Sequence, residues 1–166
     1  AMKKDVIAFI YDFDGTLSPR NMQEYDFLPK VNLKADEFWK EADQRARKNN
    51  ADSILSYMTL MLEKCSSTSC VQLTKAKFAE YGKNIDFFPG VEDWFHRINS
   101  YTKHNDLIPQ HYVLSSGIKE MIEGSKIAHQ FEDIFACSYI YDENGKAIAP
   151  GVAINYTGKT QFLFRI

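Results

Sequence analysis

The stretch DVIAFIYDFDGTLS, residues 5–18, places two carboxylates directly after a run of apolar side chains. The run from Asp5 to Tyr11 is rich in branched and aromatic residues, which is typical of a β-strand covered by helices on both faces. Asp12 and Asp14 then lie at the carboxyl end of this strand, the edge at which open α/β sheets bind their ligands. The stretch therefore predicts an α/β fold with a functional site at this edge.

The spacing of Asp12 and Asp14 limits what the pair can do. A calcium-binding EF-hand loop that began at Asp12 would need glycine at its sixth position and glutamate at its twelfth, and this sequence has Leu17 and Gln23 there. Capping of a helix would account for one carboxylate only. Because like charges this close are costly unless a cation or a shared proton compensates them, the pair indicates a metal site or acid–base chemistry.

The composition is that of an ordinary globular protein, with 166 residues, 45% hydrophobic and 25% charged side chains, and a net charge of -2. This length suits one medium-sized domain or a core with an insertion. No domain-wide excess of basic residues exists, which argues against nucleic-acid binding. The apolar runs are too short for a secretory signal or a membrane span, so we expect a cytoplasmic protein without membrane attachment. We expect Cys65, Cys70 and Cys137 to be reduced thiols.

Helical periodicity dominates residues 32–82. Apolar side chains recur there at helical spacing, and Thr74 and Gly82 predict the start and the end of the last helix. We interpret the methionine and leucine stripe of this block as packing between helices rather than as a ligand surface. The block predicts an all-helical insertion after the first strand.

The second half of the chain returns to an alternation of helices and strands. An amphipathic helix at 91–104 precedes a second buried strand at 111–116. A helix over 118–131, a β-hairpin that turns at Asn144, and a helix start near Lys159 complete the pattern. This order predicts an α/β core interrupted by the helical insertion.

Three segments, in this order, resemble the motifs of the haloacid dehalogenase-like (HAD) hydrolase superfamily. VIAFIYDFDGTL (6–17) is similar to the first motif of that family, an apolar strand followed by DxDGT. YVLSSG (112–117) is similar to the second motif, a strand that ends in serine or threonine, and Lys159 in YTGKT matches the third. FPGV (88–91) is similar to the segment that returns from the cap to the core.

The resemblance covers essentially the whole chain and implies a Rossmann-like parallel sheet core with an inserted all-helical cap. A helical cap between the first two motifs and a hairpin before the third most resemble the phosphoserine-phosphatase-like branch. The implied core comprises residues 1–18 and 88–166, and the implied cap comprises residues 19–87.

The resemblance also implies a Mg²⁺-dependent phosphatase that hydrolyses a small phosphorylated metabolite through an aspartyl-phosphate intermediate. The first aspartate would attack phosphorus, and the second would exchange protons with the leaving oxygen and the hydrolytic water. Four residues are expected to be catalytic: Asp12, Asp14, Ser115 and Lys159. Four others are expected to bind the substrate, partly through main-chain N–H groups: Gly15, Thr16, Ser116 and Gly117. Asp12 and Asp14 would also hold Mg²⁺, which prefers oxygen ligands together with phosphate.

Other functions fit the same motifs. Dehalogenases of this superfamily do not need an acid at the position of Asp14, so its presence favours phosphoryl transfer. A phosphomutase would use the same pair of acids and a cap. A non-catalytic domain that keeps the fold and binds a phosphorylated ligand or a protein partner is the alternative from another class.

The sequence departs from the family pattern after Lys159. The fourth motif, an acidic pair such as GDGxxD after a further strand, does not occur before Ile166, so we expect a core that is incomplete at its C-terminus. The strand at Ile7 to Tyr11 would then expose an apolar sheet edge, which favours association. We expect a further segment of a longer chain or a second copy of this chain to complete the sheet.

Selection of the substrate would depend on the insertion between Arg20 and Phe87. Arg20, Arg45 and Arg47 are possible contacts for an anionic group there.

Overall fold

A computed structural model describes residues 4–67 and 71–166 of the chain. Cys70, one of the cysteines interpreted as a reduced thiol, lies outside the described residues. Four strands form one sheet in the order β1-β2-β3-β4: β1 Asp5–Tyr11, β2 Leu107–Ile118, β3 Asp133–Tyr141 and β4 Ala147–Val152. Seven α-helices occur in the described residues: α1 Phe27–Lys30, α2 Ala35–Asn49, α3 Ser53–Ser67, α4 Lys75–Gly82, α5 Val91–His104, α6 Lys119–Gly124 and α7 Lys159–Leu163.

The sheet is mixed, because β1, β2 and β3 are parallel and β4 is antiparallel to β3. The predicted α/β class, a parallel sheet core interrupted by helices, is therefore confirmed. The chain forms α1 to α4 between β1 and α5, and it re-enters the core where the Phe88 N–H donates to the Leu17 carbonyl at 3.0 Å. The two connections of the helical insertion thus lie side by side next to the first motif.

The second strand is longer than predicted. We predicted residues 111–116, whereas β2 begins at Leu107 and ends at Ile118. Its first residues pair with β1 in parallel register from Asp5 opposite Leu107 to Tyr11 opposite Val113. Ladder hydrogen bonds to β1 extend the strand beyond its apolar centre, which a pattern of hydrophobicity does not reveal.

The predicted helix over 118–131 is wrong in its length. The chain forms only α6, and a 3₁₀ turn at Ala128–Gln130 follows after a break. A Cβ atom at Gly124 would lie 2.0 Å from the Ala79 carbonyl oxygen, so the end of α6 packs backbone against backbone on α4. The Ser125 hydroxyl and N–H both donate to the Ile122 carbonyl, and these bonds end the helix.

The predicted hairpin and the predicted helix start at Thr74 are confirmed. Gly145 has a φ of 76°, the left-handed conformation that glycine adopts without steric cost. The Asp142 carboxylate accepts hydrogen bonds from the N–H groups of Asn144 and Lys146 and holds the turn. The Thr74 hydroxyl accepts from the Lys77 N–H at 3.1 Å, as an N-cap residue does.

Strand β1 forms one edge of the described sheet and has one exposed face. Val6 and Ile10 are 54% and 42% exposed, and Ile108 beside Val6 on β2 is 42% exposed. The opposite face packs on α5, where the Tyr11 and Phe95 ring centroids are 5.7 Å apart. The expectation of an exposed apolar edge at this strand is confirmed.

None of the helices formed by residues 4–67 and 71–166 has the length and apolar character needed to cross a membrane.

Candidate functional site

A cavity of about 260 Å³ opens at the carboxyl ends of β1 and β2, between the sheet and the helical insertion. Six of its lining residues come from the predicted motifs: Asp12, Asp14, Ser115, Ser116, Gly117 and Lys159. The parallel pairing of β1 with β2 brings the first two motifs together, since the carboxyl ends of parallel neighbours meet at the same edge. The structure therefore gathers all four residues that we expected to be catalytic around one cavity.

Asp12 and Lys159 form an ion pair across this cavity. Lys159 Nζ lies 3.2 Å from Asp12 Oδ1, which also accepts the Phe13 N–H at 2.8 Å. Lys159 is the first residue of α7, and its own N–H donates to the Asn155 carbonyl. Both contacts use Oδ1, so the other carboxylate oxygen of Asp12 is without a hydrogen bond among the described residues and is available for reaction.

Asp14 lies deeper in the site than Asp12. Its Oδ1 accepts the Met22 N–H at 3.0 Å. Burial raises the pKa of Asp14 to about 7; the Met22 N–H opposes this shift, and the negative charges of Asp12 and Glu24 add to it. A carboxyl group with such a pKa exists in both protonation states near neutral pH, so it can donate and accept a proton.

Ser115 is buried at the end of the second motif. Its hydroxyl oxygen accepts the Gly117 N–H at 2.9 Å. The next amide, that of Ile118, points to the sulfur of Met22 at 3.1 Å, and the Ser116 hydroxyl donates to the Ile154 carbonyl. These amides lie at the end of β2, which ends at Ile118 directly before α6. The expectation that the main-chain N–H groups near Ser116 and Gly117 hold phosphoryl oxygens stays a prediction.

Gly15 and Thr16 are exposed and do not line the cavity. Gly15 has a φ of 76°, and its N–H donates to the Ser18 carbonyl at 2.7 Å. The Thr16 N–H donates back to the Phe13 carbonyl. In this structure the two residues form the tight turn that follows Asp12 and Asp14, and the expectation that they bind substrate stays a prediction.

The cavity has a second half that sequence reasoning missed. Five residues form it: Asn21, Trp39, Ile54, Tyr57 and Tyr156. Ile54 belongs to the methionine and leucine stripe that we interpreted as packing, and Trp39 lies at helical spacing in the segment before it. Helical periodicity alone cannot separate a buried core face from a face that lines a cavity. The available signal was an aromatic residue in the insertion that follows the strand of the first motif.

The three arginines considered as anion contacts do not line the cavity. The Arg20 guanidinium stacks on the Tyr25 ring at 4.3 Å. Arg45 pairs with Glu41 and Glu63 on the surface of α2 and α3, and Arg47 pairs with Asp43. The three guanidinium groups therefore have their partners within the helical insertion.

A hydrogen-bonded bridge joins the start of α3 to the start of α7. The Asp52 carboxylate accepts the N–H groups of Ile54 and Leu55 through Oδ1, and its Oδ2 accepts Asn155 Nδ2–H at 2.8 Å. Burial disfavours the ionised form of Asp52, but the hydrogen bonds from Asn155 and the two amides hold its pKa below the ordinary value. Asn155 Oδ1 in turn accepts the Gly158 N–H at 2.7 Å, so the loop that presents Lys159 is tied to the helical insertion.

The donor set suits a hard divalent cation bound together with phosphate. Within residues 4–67 and 71–166, no group of three or more histidine, cysteine or acidic side chains is placed to hold a metal ion. Mg²⁺ keeps several water ligands and needs only one or two carboxylates besides substrate oxygens, and Asp12 and Asp14 both line the cavity. Mutual repulsion of these two acids contributes to the raised pKa of Asp14 and would be relieved by a cation.

No family model matches the sequence. An uncharacterized protein of Borreliella burgdorferi is 30% identical over 147 residues, which cover 83% of this chain and 51% of that protein. The chain thus spans about half the length of the curated relative that it matches.

Two solved structures share the fold over 98% of the chain. A HAD family hydrolase from Salmonella enterica serovar Typhi has a TM-score of 0.64 at 15% identity, and this chain covers 51% of it. A substrate-bound phosphoserine phosphatase has a TM-score of 0.65 at 14% identity, with 71% of its chain covered. Together with the sheet order and the helical insertion after β1, these likenesses show that the chain has the fold of the HAD hydrolases in its phosphoserine-phosphatase-like form.

Proposed function

We propose that this protein is a Mg²⁺-dependent hydrolase of small phosphomonoesters that acts through an aspartyl-phosphate at Asp12. The observation that carries the proposal is the convergence of Asp12, Asp14, Ser115 and Lys159 on one cavity of about 260 Å³. These residues come from three distant parts of the chain, and only the folded sheet brings them together. The solved HAD hydrolase and phosphoserine phosphatase with the same fold support this class of reaction.

Each residue has a defined role in the proposed reaction. An oxygen of the Asp12 carboxylate attacks phosphorus, the bond from phosphorus to the ester oxygen breaks, and the Asp14 carboxyl donates its proton to that oxygen. Asp14 then takes a proton from water as the water attacks phosphorus, which releases phosphate and restores Asp12. Lys159, 3.2 Å from Asp12, offsets the negative charge of the carboxylate and the phosphoryl group.

Asp12, through its carboxylate, and Asp14, through its main-chain carbonyl, would hold Mg²⁺ at the carboxyl end of β1, which would leave the Asp14 carboxyl to exchange protons. The bound ion would supply positive charge next to the phosphoryl oxygens, which is the usual electrostatic contribution of Mg²⁺ to phosphoryl transfer. The buried Ser115 hydroxyl would hold a phosphoryl oxygen.

Hydrolysis of a generic aryl phosphate with and without Mg²⁺ tests the proposal. We expect Asp12→Asn to lower the turnover number by a factor of about 10² to 10³ or more, as loss of one preorganised catalytic group commonly does. Asp36→Asn is the matched control, because Asp36 is exposed in the first turn of α2 and does not line the cavity. Equal turnover by the Asp12 variant and the unchanged protein would refute the role of Asp12.

The same proteins distinguish the non-catalytic alternative. A domain that only binds a phosphorylated ligand would show calorimetric binding of phosphate esters without release of inorganic phosphate. Hydrolysis that depends on Mg²⁺ and on Asp12 would exclude that alternative.

A further inference from the structure

Apart from the six residues Asp12, Asp14, Ser115, Ser116, Gly117 and Lys159, the lining of the cavity is uncharged and mostly aromatic. The helical insertion contributes Trp39, Ile54 and Tyr57, and the loop between β4 and α7 contributes Tyr156. Asn21 adds one amide. We call these five residues the cap half of the cavity; they would contact the alcohol part of a phosphate ester whose phosphoryl group lies at Asp12.

Two of the aromatic rings in the cap half are held in place. Trp39 Nε1–H donates to Glu24 Oε1 at 3.0 Å, and the Trp39 and Tyr57 ring centroids are 5.5 Å apart at an interplanar angle of 69°. The Tyr57 hydroxyl donates to the Ser116 carbonyl at 2.6 Å. Tyr156, by contrast, is 87% exposed and lines the cavity where it opens to solvent. A surface of fixed rings is preorganised for a ligand, since little side-chain freedom is lost on binding.

The charges around the cavity favour a cation in the cap half. In the described part of the chain, Lys159 is the one basic side chain that lines the cavity, and it already pairs with Asp12. Asp14 lines the cavity, and the Glu24 carboxylate accepts the N–H at the edge of the Trp39 indole. A substrate carboxylate in the cap half would face these acids without a cationic partner, which is costly.

We propose that the alcohol part of the substrate carries a positively charged ammonium group that binds against Trp39 and Tyr57. The faces of aromatic rings attract cations, and tryptophan does so most strongly. The hydrogen bond from the indole N–H to the Glu24 carboxylate increases the electron density of that ring and places a negative charge nearby. The proposal rests on the phosphatase function given above and adds the chemical class of its substrate.

A pair of esters of equal shape tests the proposal. Choline phosphate carries a trimethylammonium group, and dimethylbutyl phosphate replaces its nitrogen by carbon and removes the charge. We expect kcat/KM with Mg²⁺ to be at least about fivefold higher for choline phosphate, the lower range for a cation held by two rings. Equal values, or a preference for dimethylbutyl phosphate, would overturn the proposal.

Calorimetric binding separates a failure of this proposal from a failure of the phosphatase function. The Asp12→Asn protein cannot form the aspartyl-phosphate, so the affinities of the two esters can be measured without turnover. If the unchanged protein hydrolyses no ester at all, the phosphatase function fails, and tighter binding of choline phosphate would still support the ammonium site. Equal binding of the two esters would overturn it.

Two substitutions assign the preference to the cap half. Glu24→Gln keeps an oxygen acceptor for the indole N–H but removes the charge, so we expect the preference for choline phosphate to fall several-fold. Trp39→Leu removes the ring and should abolish most of the preference. If the ratio of the two esters is unchanged in Glu24→Gln and in Trp39→Leu, the ammonium group does not bind here and the assignment is wrong.

Discussion

The bridge between Asp52 and Asn155 offers a test of how the helical insertion positions Lys159. Asn155→Asp keeps the Oδ1 acceptor for the Gly158 N–H but replaces the amide that donates to Asp52 by a second carboxylate oxygen, 2.8 Å from the first. Asp52→Asn keeps an acceptor for the amides of α3 and places two amide donors face to face. The double variant exchanges the two side chains and restores one donor opposite one carboxylate.

The magnitude follows from the contact that is lost. A hydrogen bond to a charged group contributes about 1.5–3 kcal/mol to stability, and two half-exposed carboxylates in contact repel by about 1 kcal/mol or more. We therefore expect Asn155→Asp to weaken the bridge by about 2–4 kcal/mol near neutral pH, and less in acid, where one carboxyl takes up a proton. That energy corresponds to a change of about 30- to 1000-fold in the ratio of molecules with the bridge closed to molecules with the bridge open.

Two measurements on the four proteins of this cycle check the prediction. The free energy of unfolding in urea gives the interaction energy of the pair, and kcat for an aryl phosphate with Mg²⁺ reports the position of Lys159. We expect each single variant to lose stability and turnover, and the double variant to recover most of both. Additive losses of stability in the double variant would show that Asp52 and Asn155 do not interact, which would refute the predicted bridge. The unfolding measurement gives this result even if no protein of the set hydrolyses the ester.

Three further predictions address packing, pH and charge. Gly124→Ala should lower the free energy of unfolding by at least about 1–3 kcal/mol in urea denaturation, because its Cβ would lie 2.0 Å from a carbonyl oxygen of α4; an unchanged midpoint would contradict the backbone contact. Burial lowers the pKa of His111, whose Nδ1 accepts the Tyr11 hydroxyl at 2.9 Å. Neutral His111 therefore stabilises the fold fully above about pH 6.5, and this stabilisation decreases as the pH falls toward the lower pKa of the folded state. Unfolding measured at several pH values should show this loss in the unchanged protein and not in His111→Gln. Lys159→Met should reduce turnover of an aryl phosphate by a factor of about 10² or more, since the pair with Asp12 at 3.2 Å is removed, and full turnover by this variant would exclude the charge role.

The motif half of the site could be predicted because its residues stand next to strong local patterns. Asp12 and Asp14 follow an apolar strand, Ser115 follows the apolar centre of another, and Lys159 begins a short helix. The parallel sheet then places strand ends at one edge whatever the intervening chain does. The hydrogen-bond partners of the amides near Gly117 were less predictable, because they include side chains of the insertion such as Met22.

The cap half of the site could not be predicted, because helical spacing is the same for side chains that pack in the core and for side chains that line a cavity. Trp39 and Tyr57 recur at helical spacing among residues that are buried in the protein core. Helical spacing states which side chains share a face, but the partner of that face depends on how α2 and α3 pack against the sheet. For the same reason the arginines looked available in the sequence and are paired within the insertion in the structure.

The sequence by itself determined the class of fold, the position of the helical insertion and the motif residues, since each follows from hydrophobic periodicity or from a short motif. Only the tertiary structure decided the length of α6, which ends where Gly124 meets the backbone of α4, and the ties of Asp52 to Asn155 and of Trp39 to Glu24. These features depend on contacts between segments far apart in the chain. Local patterns indicate which secondary structure a segment can form, whereas the tertiary contacts of that segment depend on the packing of the whole molecule.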